Sequence, residues 1–406
     1  MKRRSFLTSA TAVAATAPFG ARRAHAKASA PPSVKTPRER SMYLAGFLDE
    51  LCSLGPRPVG SDACEKAAGI VERELARSCP ETRMDTFTFD RWVLDGTPYI
   101  AIGGKTIETC PGHGTSGTPP EGVAGTLKRH GENGIGYAIV DAAGTSLAYI
   151  TTRKERAIPL PYYSFNQKVK CLPIFNVGGY DMPAVDAAAK SGATVRAFSG
   201  ARFIPNSTAT NAIGRLPGDK LGEILVLAHI DTVYNTVGAI DNSADVVQML
   251  MLAHSLALRK RMYGFTFVGT TGEEYDKIGA ESVAALLKRE GTFDDIRFVL
   301  NLDSTHWGPE MMIFTPDEDL FRLFEEADRT VRSYGAPVWR NQNGFVGDGR
   351  PFGGCGGKAV YIDTEGDIKG PCWHLPADTP ENVPFAFVES SYQVIEEFLL
   401  RVQDVL

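Results

Sequence analysis

The sequence predicts a three-layer α/β fold with a mostly parallel central sheet, carrying a small β-rich inserted domain. Three observations predict it. From Asn211 onward, short apolar runs alternate with segments of helical periodicity. Between about residues 96 and 200 the texture changes, with frequent glycine and proline as in Cys110-Pro111-Gly112-His113-Gly114 and Gly117-Thr118-Pro119-Pro120. Histidines and carboxylates stand where the later apolar runs end, the place where open α/β sheets put their chemistry. The expected division is a larger domain over residues 37–95 and 205–406, with an insert at 96–204. Insertion is easy where the ends of the insert meet at the surface.

The first 26 residues are set apart from the fold. Lys2-Arg3-Arg4-Ser5-Phe6-Leu7 gives a basic start, a weakly apolar Ala/Thr-rich stretch follows, and Ala24-His25-Ala26 is an A-x-A cleavage site. The paired arginines resemble a twin-arginine signal, which implies the twin-arginine export machinery as a partner and a periplasmic or secreted destination. No cysteine follows the cleavage site and no other apolar run nears the ~18 residues of a membrane span, so no membrane anchor is expected. Residues 27–36, rich in Ala, Ser and Pro, are expected to be disordered.

Helical periodicity runs through residues 37–77, broken at Gly55-Pro56-Arg57-Pro58-Val59-Gly60-Ser61, and residues 83–93 alternate like a strand. Within the insert, 136–140, 172–177 and 194–198 are short apolar runs, and 182–190 reads as a helix. Beyond it, strands are predicted at 224–228, 265–269, 298–302 and 358–362. Helices are predicted at 246–259, 280–290, 319–334 and 386–405.

A chain of 406 residues is long enough for a large core. A net charge of −5 without a basic, aromatic-laced patch excludes a nucleic-acid partner. Seven cysteines with no C-x-x-C pair exclude a cysteine-built zinc site, and Cys355 with Cys372 is the candidate disulfide.

The polar residues at run ends are His229, the pair Glu273 and Glu274, Asp303 and His374, with Asp241 opening the helix after the first loop. Imidazole and carboxylate donors suit two Zn2+ ions per chain, and manganese or cobalt fits the same donors. Two ions need a bridging carboxylate, assigned to Asp241. His229 and Asp303 then serve one ion, Glu274 and His374 the other. Glu273 remains free to move protons as general base. Asp231 is expected to accept the second ring N–H of His229, and Asp378 to serve His374 in the same way. His113 and His130 are expected at the surface, His254 in helix packing, and His306 is a weak candidate for the pocket wall.

In this order, His229-Ile230-Asp231-Thr232, Gly238-Ala239-Ile240-Asp241-Asn242-Ser243-Ala244, Thr271-Gly272-Glu273-Glu274, Asn301-Leu302-Asp303-Ser304 and Trp373-His374-Leu375-Pro376-Ala377-Asp378-Thr379 resemble the co-catalytic di-zinc metallo-exopeptidases. That family includes bacterial leucyl aminopeptidases, plasma glutamate carboxypeptidase and glutamate carboxypeptidase II. The resemblance covers the chain from about residue 40. The insert resembles a protease-associated domain through Pro120–Leu127 and Leu172–Val177. The resemblance implies the zinc exopeptidase fold, a cis peptide after Asp241, peptide substrates and most readily an aminopeptidase. A carboxypeptidase or dipeptidase, a one-zinc glutaminyl cyclase and a non-catalytic scaffold are the alternatives. Two departures stand out. Asp245 replaces a glycine usual after the Asp-Asn pair, and no tyrosine between Asp303 and His374 is read as the oxyanion-stabilising one, Phe345 standing in the expected region. Oxyanion stabilisation is left to Tyr275 or a metal ion. Asp348 matches a family signature without an assigned role.

Overall fold

The computed structural model describes residues 31–130, 136–152, 157–161, 172–332, 338–365 and 369–406. The leader expected at residues 1–26 lies outside them. Helix α1 (Pro37–Cys52) starts at a capping box, in which Thr36 accepts from the Glu39 N–H and Glu39 takes the Thr36 N–H. Helix α2 (Asp62–Leu75) is capped by Ser61. Strand β1 (Glu81–Ile102) then leads into the insert: β2 (Lys105–Ile107), β3 (Thr109–Pro111), β4 (Val123–His130), β5 (Gly136–Val140), β6 (Ser146–Thr151), β7 (Ile174–Val177) and α3 (Met182–Ser191). Strand β8 (Val195–Leu216) returns antiparallel to β1.

These two strands run 22 residues each, far beyond the expected 83–93 and 194–198. Their ladder is irregular between Phe89 and Arg91 and between Asp95 and Tyr99, which breaks the alternation that pattern reading follows. The ribbon passes through both expected domain limits, so insert and larger domain share a continuous pair of strands.

The second half runs β9 (Glu223–His229), α4 (Ala244–Ala257), β10 (Gly264–Thr270), α5 (Ile278–Glu290), β11 (Ile296–Leu302), β12 (Glu310–Phe314), α6 (Glu318–Val331), β13 (Val338–Asn341), β14 (Lys358–Glu365), α7 (Lys369–Cys372) and α8 (Phe385–Val402). It has the four predicted strands and four predicted helices and adds β12, β13 and α7, which the sequence pattern does not anticipate. Among the described residues, the strands form one sheet in the order β13-β12-β14-β11-β9-β10-β8-β4-β5-β6-β7-β3, with β1 beside β8. The centre, β14-β11-β9-β10, is parallel. Its register sets Thr270 opposite His229 and Leu302 opposite Ala228, so three strand ends are level. The residues that follow those ends are therefore neighbours.

Strand β9 is buried throughout after Glu223, as a parallel strand covered on both faces must be. Alternate residues go to opposite cores. Ile224, Val226 and Ala228 join Leu48, Val71, Leu250 and Phe398 on one face, whereas Leu225 and Leu227 join Val268, Val283 and Phe352 on the other. Cys372 belongs to the first core and Cys355 to the second. The sheet separates them, and all six described cysteines are free, so the candidate disulfide does not form. The insert has its own core around Ile100, Ile139, Ile150, Phe175 and Val195. Among the described residues, no helix is long and apolar enough to cross a membrane.

Candidate metal centre

The loop after β9 is shaped by a buried arginine. Arg57 is 1% exposed, and its guanidinium donates to the carbonyls of Ile230 (3.0 Å), Leu51 (3.2 Å), Val237 (2.7 Å) and Gly238 (3.4 Å) and to Ser243 Oγ (2.6 Å). Gly238 lies at φ +58°, where a Cβ would come within 2.3 Å of the Thr232 methyl and 2.5 Å of the Asp241 carbonyl oxygen. Only glycine turns the chain there. The Asp378 carboxylate takes the N–H groups of Ile240 (2.6 Å) and Asp241 (3.1 Å). The Asp241–Asn242 peptide is cis. Asn242 then ties the loop to the end of β11, donating to the Leu302 carbonyl (3.0 Å) and accepting from the Ser304 N–H (3.2 Å).

The loop after β10 is held from the same side. Asn211 Oδ1 accepts the Thr271 N–H at 2.9 Å, and the Asp231 carboxylate accepts the N–H groups of Glu273 (3.1 Å) and Glu274 (3.2 Å). Asp276 and Lys277 are both left-handed, at φ +65° and +66°. That turn folds Lys277 Nζ back to 2.8 Å from Glu273 Oε1.

These loops bring together two groups of metal-binding side chains, His229 with Asp241 and Asp303, and Asp241 with Glu274 and His374. Asp241 offers one oxygen to each. His229 Nε2 is 3.1 Å from Asp241 Oδ1 and 3.6 Å from Asp303 Oδ1, and His374 Nε2 is 3.0 Å from Glu274 Oε1 and 3.6 Å from Asp241 Oδ2. Donor atoms bound tetrahedrally to zinc at ~2.0–2.1 Å sit about 3.3 Å apart, so the spacing fits. Asp241 Oδ1, buried, accepts no hydrogen bond among the described residues. An orphaned carboxylate oxygen facing an imidazole nitrogen is a group in want of a cation. Charge gives the same answer. Burial alone would lower the His374 imidazole, but Glu274 and Asp241 outweigh it and raise it to about 9. His229 is raised well above its ordinary value by Asp241 and Asp303, again against burial.

The remaining ring nitrogens differ from expectation. His229 Nδ1 meets the main-chain carbonyl of Asp231 at 3.0 Å, whereas the Asp231 carboxylate stands at 3.7 Å, occupied by the two glutamate N–H groups. His374 Nδ1 meets the Pro161 carbonyl at 2.8 Å, and Asp378 serves the main chain of the Asp241 loop instead. A carbonyl only accepts, so both Nδ1 atoms carry hydrogen, and both Nε2 atoms face the centre, where a metal cation would take the place of a proton.

Glu273 belongs to neither group and is 8% exposed. Tyr275 donates to the Asp90 carbonyl at 3.0 Å, so its hydroxyl is already used, and Phe345 packs on the second core. Tyr361, missed in the sequence, donates to Asp303 Oδ2 at 3.1 Å. Asp348 is fully buried and accepts from the Thr270 hydroxyl; burial, and next the charge of Glu273, push its carboxyl up to about 7. Asp245 accepts from Thr305 N (3.0 Å), Thr305 Oγ1 (2.6 Å) and Gln248 (2.9 Å), and joins neither group. His306, close by at 3.3 Å, is buried and also outside both groups. His130 is exposed, and His254 is buried in a polar cluster with Tyr43, Ser78 and Glu74. His113, expected at the surface, is only 2% exposed and packs among Trp92, Tyr234 and Tyr275. Three distant segments enclose it, which its glycine-rich neighbours do not reveal.

The chain is similar to known proteins in sequence and in fold. Residues 211–399 match the model for Peptidase family M28. Aminopeptidase YwaD of Bacillus subtilis is 23% identical over 367 residues, covering 82% of this chain and 78% of that protein. The structure of BSAP, a zinc aminopeptidase from Bacillus subtilis, superposes with a TM-score of 0.69 at 16% identity, over 89% of this chain and 95% of that one. An Acidobacteriales bacterium glutaminyl cyclase shares the fold at a TM-score of 0.54 and 15% identity, over 95% of this chain and 100% of that one. All three likenesses are distant in sequence.

Proposed function

The chain belongs to the co-catalytic zinc exopeptidases, and from that premise we propose that it is a two-zinc aminopeptidase working outside the cytoplasm. The observation that carries the reading is the presence of Asp241 in both groups of metal-binding side chains. Asp241 would serve both ions, with His229 and Asp303 completing the first set and Glu274 and His374 the second. Zinc held by such donors supplies Lewis acidity to a carbonyl and makes water a nucleophile near neutral pH.

The rest of the chemistry falls to the chain. Glu273 is the general base: its carboxylate takes a proton from the attacking water and returns it to the departing amine. Lys277 Nζ, at 2.8 Å, and the Asp231 carboxylate, on its N–H, hold it in place. Tyr361 and the Asp231 carbonyl orient Asp303 and His229. The substrate is a peptide with a free amino terminus, which the name of the Bacillus relative supports. A glutaminyl cyclase shares the fold, so the fold alone does not choose the reaction; a carboxylate common to two donor sets favours the two-ion chemistry. The paired arginines at Arg3 and Arg4 and the Ala24-His25-Ala26 site support twin-arginine export to the periplasm or beyond.

Zinc content of the mature protein, measured alongside hydrolysis of Leu-p-nitroanilide, tests this. Two zinc ions per chain and chelator-sensitive release of p-nitroaniline are expected. Fewer than two ions sinks the bridging role of Asp241. Two ions with cleavage only from a free carboxyl terminus sinks the aminopeptidase.

A further inference from the structure

The turn that carries Asp303 is gripped from the start of α4. Asn242 accepts the Ser304 N–H at 3.2 Å and donates to the Leu302 carbonyl at 3.0 Å. Asp245, in the first turn of α4, accepts the next N–H along, that of Thr305, on Oδ2 at 3.0 Å. Its Oδ1 accepts from the Thr305 hydroxyl at 2.6 Å and the Gln248 amide at 2.9 Å, and Gln248 Nε2 also donates to Thr305 Oγ1 at 2.8 Å. Asp245, Gln248 and Thr305 are all fully buried. A buried carboxylate is tolerated where donors surround it, and a helix N-terminus adds to them. Ser304, between Asp303 and Thr305, sits at φ +61°, a conformation that a residue with a Cβ keeps only when its neighbours are fixed. From the other side β14 holds the same turn: Thr364 Oγ1 donates to the Ser304 carbonyl at 2.9 Å, and the Ile362 carbonyl accepts the Asp303 N–H at 3.3 Å.

Asp245 stands four residues after Asp241 and reaches the turn two residues after Asp303, so one side chain ties the segment of the shared ligand to a ligand of the first set. We propose that Asp245 is a positioning residue for Asp303: by fixing Thr305 it sets where the Asp303 carboxylate stands relative to Asp241. The inference rests on the two-zinc reading above. Groups that orient a ligand without touching the metal are worth about 10–100-fold in metal affinity. The effect falls on the first set. Among the described residues Asp303 belongs to that set alone, and the Asp241 N–H is held by Asp378. His306 Nδ1 lies 3.3 Å from Asp245 Oδ1, so a third cation between them is the alternative. Oδ1 already accepts two hydrogen bonds, which favours positioning over ligation.

The test is zinc affinity, read by equilibrium competition with a chromophoric chelator on the full mature chain, with urea unfolding of the metal-free protein alongside. Asp245→Ala removes the acceptor; Asp245→Asn keeps the shape but sets an amide N–H against a donor. In a His374→Ala background, which leaves the first set to bind, both are expected to weaken zinc binding about 10–100-fold. In a His229→Ala background, which leaves the second, both stay within about threefold of their parent, the scatter of independent sites. Thr305→Val, which loses the hydroxyl, weakens the first set in the same direction, and Thr305→Ser, which keeps it, stays at parental affinity. In the otherwise native chain, Asp245→Asn lowers kcat at subsaturating zinc, and added zinc restores it. Equal loss in both backgrounds, or zinc affinity unmoved while urea stability falls, overturns the proposal, because Asp245 is then part of the frame only. A third zinc in the native chain that Asp245→Ala abolishes also overturns it, because Asp245 is then a ligand. Should the Asp245 variants fail to fold, the Thr305 pair decides alone: a loss with Val and none with Ser supports the proposal, and no loss with either overturns it. A native chain that binds a single zinc sinks the two-zinc reading separately, before any Asp245 variant is compared.

Discussion

Removing the Arg57 guanidinium should unfold the site from beneath. Five acceptors lose their donor in Arg57→Met: the carbonyls of Leu51, Ile230, Val237 and Gly238, and Ser243 Oγ. Leu51 and Gly238 keep main-chain donors from Leu54 and Ser243, so three acceptors are stranded; each costs about 1 kcal/mol or more, which puts the gross loss near ~3 kcal/mol. Burying the guanidinium itself had a cost, and its removal returns part of that sum. Burial indeed depresses the Arg57 pKa below its ordinary value. A net loss of about 2–3 kcal/mol is expected, a sizeable share of the ~5–15 kcal/mol that holds a typical domain together. Urea unfolding of the metal-free protein measures it. The loop from Ile230 to Ser243 carries Asp241, so zinc affinity should fall in both donor sets. Arg57→Lys keeps the charge but cannot span the five acceptors, and should recover less than half the loss. A Met variant within 1 kcal/mol of the parent, with zinc affinity unchanged, would refute the claim that this arginine shapes the loop.

Glu273→Gln should retain both zinc ions and lower kcat by about 10²–10⁴ with little change in KM; near-normal turnover would remove Glu273 as the base. Tyr361→Phe deletes one hydroxyl on Asp303 and should weaken zinc in the first set by about 10–100-fold, measured in the His374→Ala background. Glu74 gives a pH dependence remote from the metal. Burial by itself would raise its carboxyl, but bonds from His254, Arg77 and Tyr43 outweigh it and hold it below the ordinary value of 4.5. Its contribution is therefore present above pH 4.5 and is lost as pH falls through the lower folded value. Glu74→Gln should be less stable than the parent at pH 7, and the gap in urea midpoint should shrink under acid; a constant gap contradicts this. Because the described cysteines are all free and Cys355 and Cys372 lie in cores on opposite faces, a reductant should leave the thermal midpoint unchanged.

Most of the metal-binding side chains were legible because they follow a strand or open a helix; His374, in the turn after α7, does neither. Parallel strands in one sheet finish level, so His229, the glutamates after Thr270 and Asp303 after Leu302 had to be neighbours once the alternation was read. What surrounds them was less legible. Asp231 and Asp378 were read as histidine partners, yet each carboxylate accepts two main-chain N–H groups. A carboxylate beside a bend satisfies a ring or a backbone equally well, and sequence distance does not say which. Lys277 had a usable signal, four residues after Glu273 at a helix start. Arg57 had another, a charge between two prolines in a break between helices. Tyr361 had none, since it reads only as one more aromatic in β14.

The unequal reach of the supporting contacts bears on how the site assembles. His229 is oriented by a carbonyl two residues away, a contact complete as soon as β9 and its turn exist. His374 is oriented across 213 residues, through an insert attached by the long β1–β8 ribbon. Closing so long a loop costs more chain entropy, and the contact forms only once the ribbon has set the insert over the sheet. Both sets share Asp241, whose loop is held by Asp378, four residues beyond His374, and by the cross-tie of Asn242 to β11, so this carboxylate too depends on the segment that carries His374.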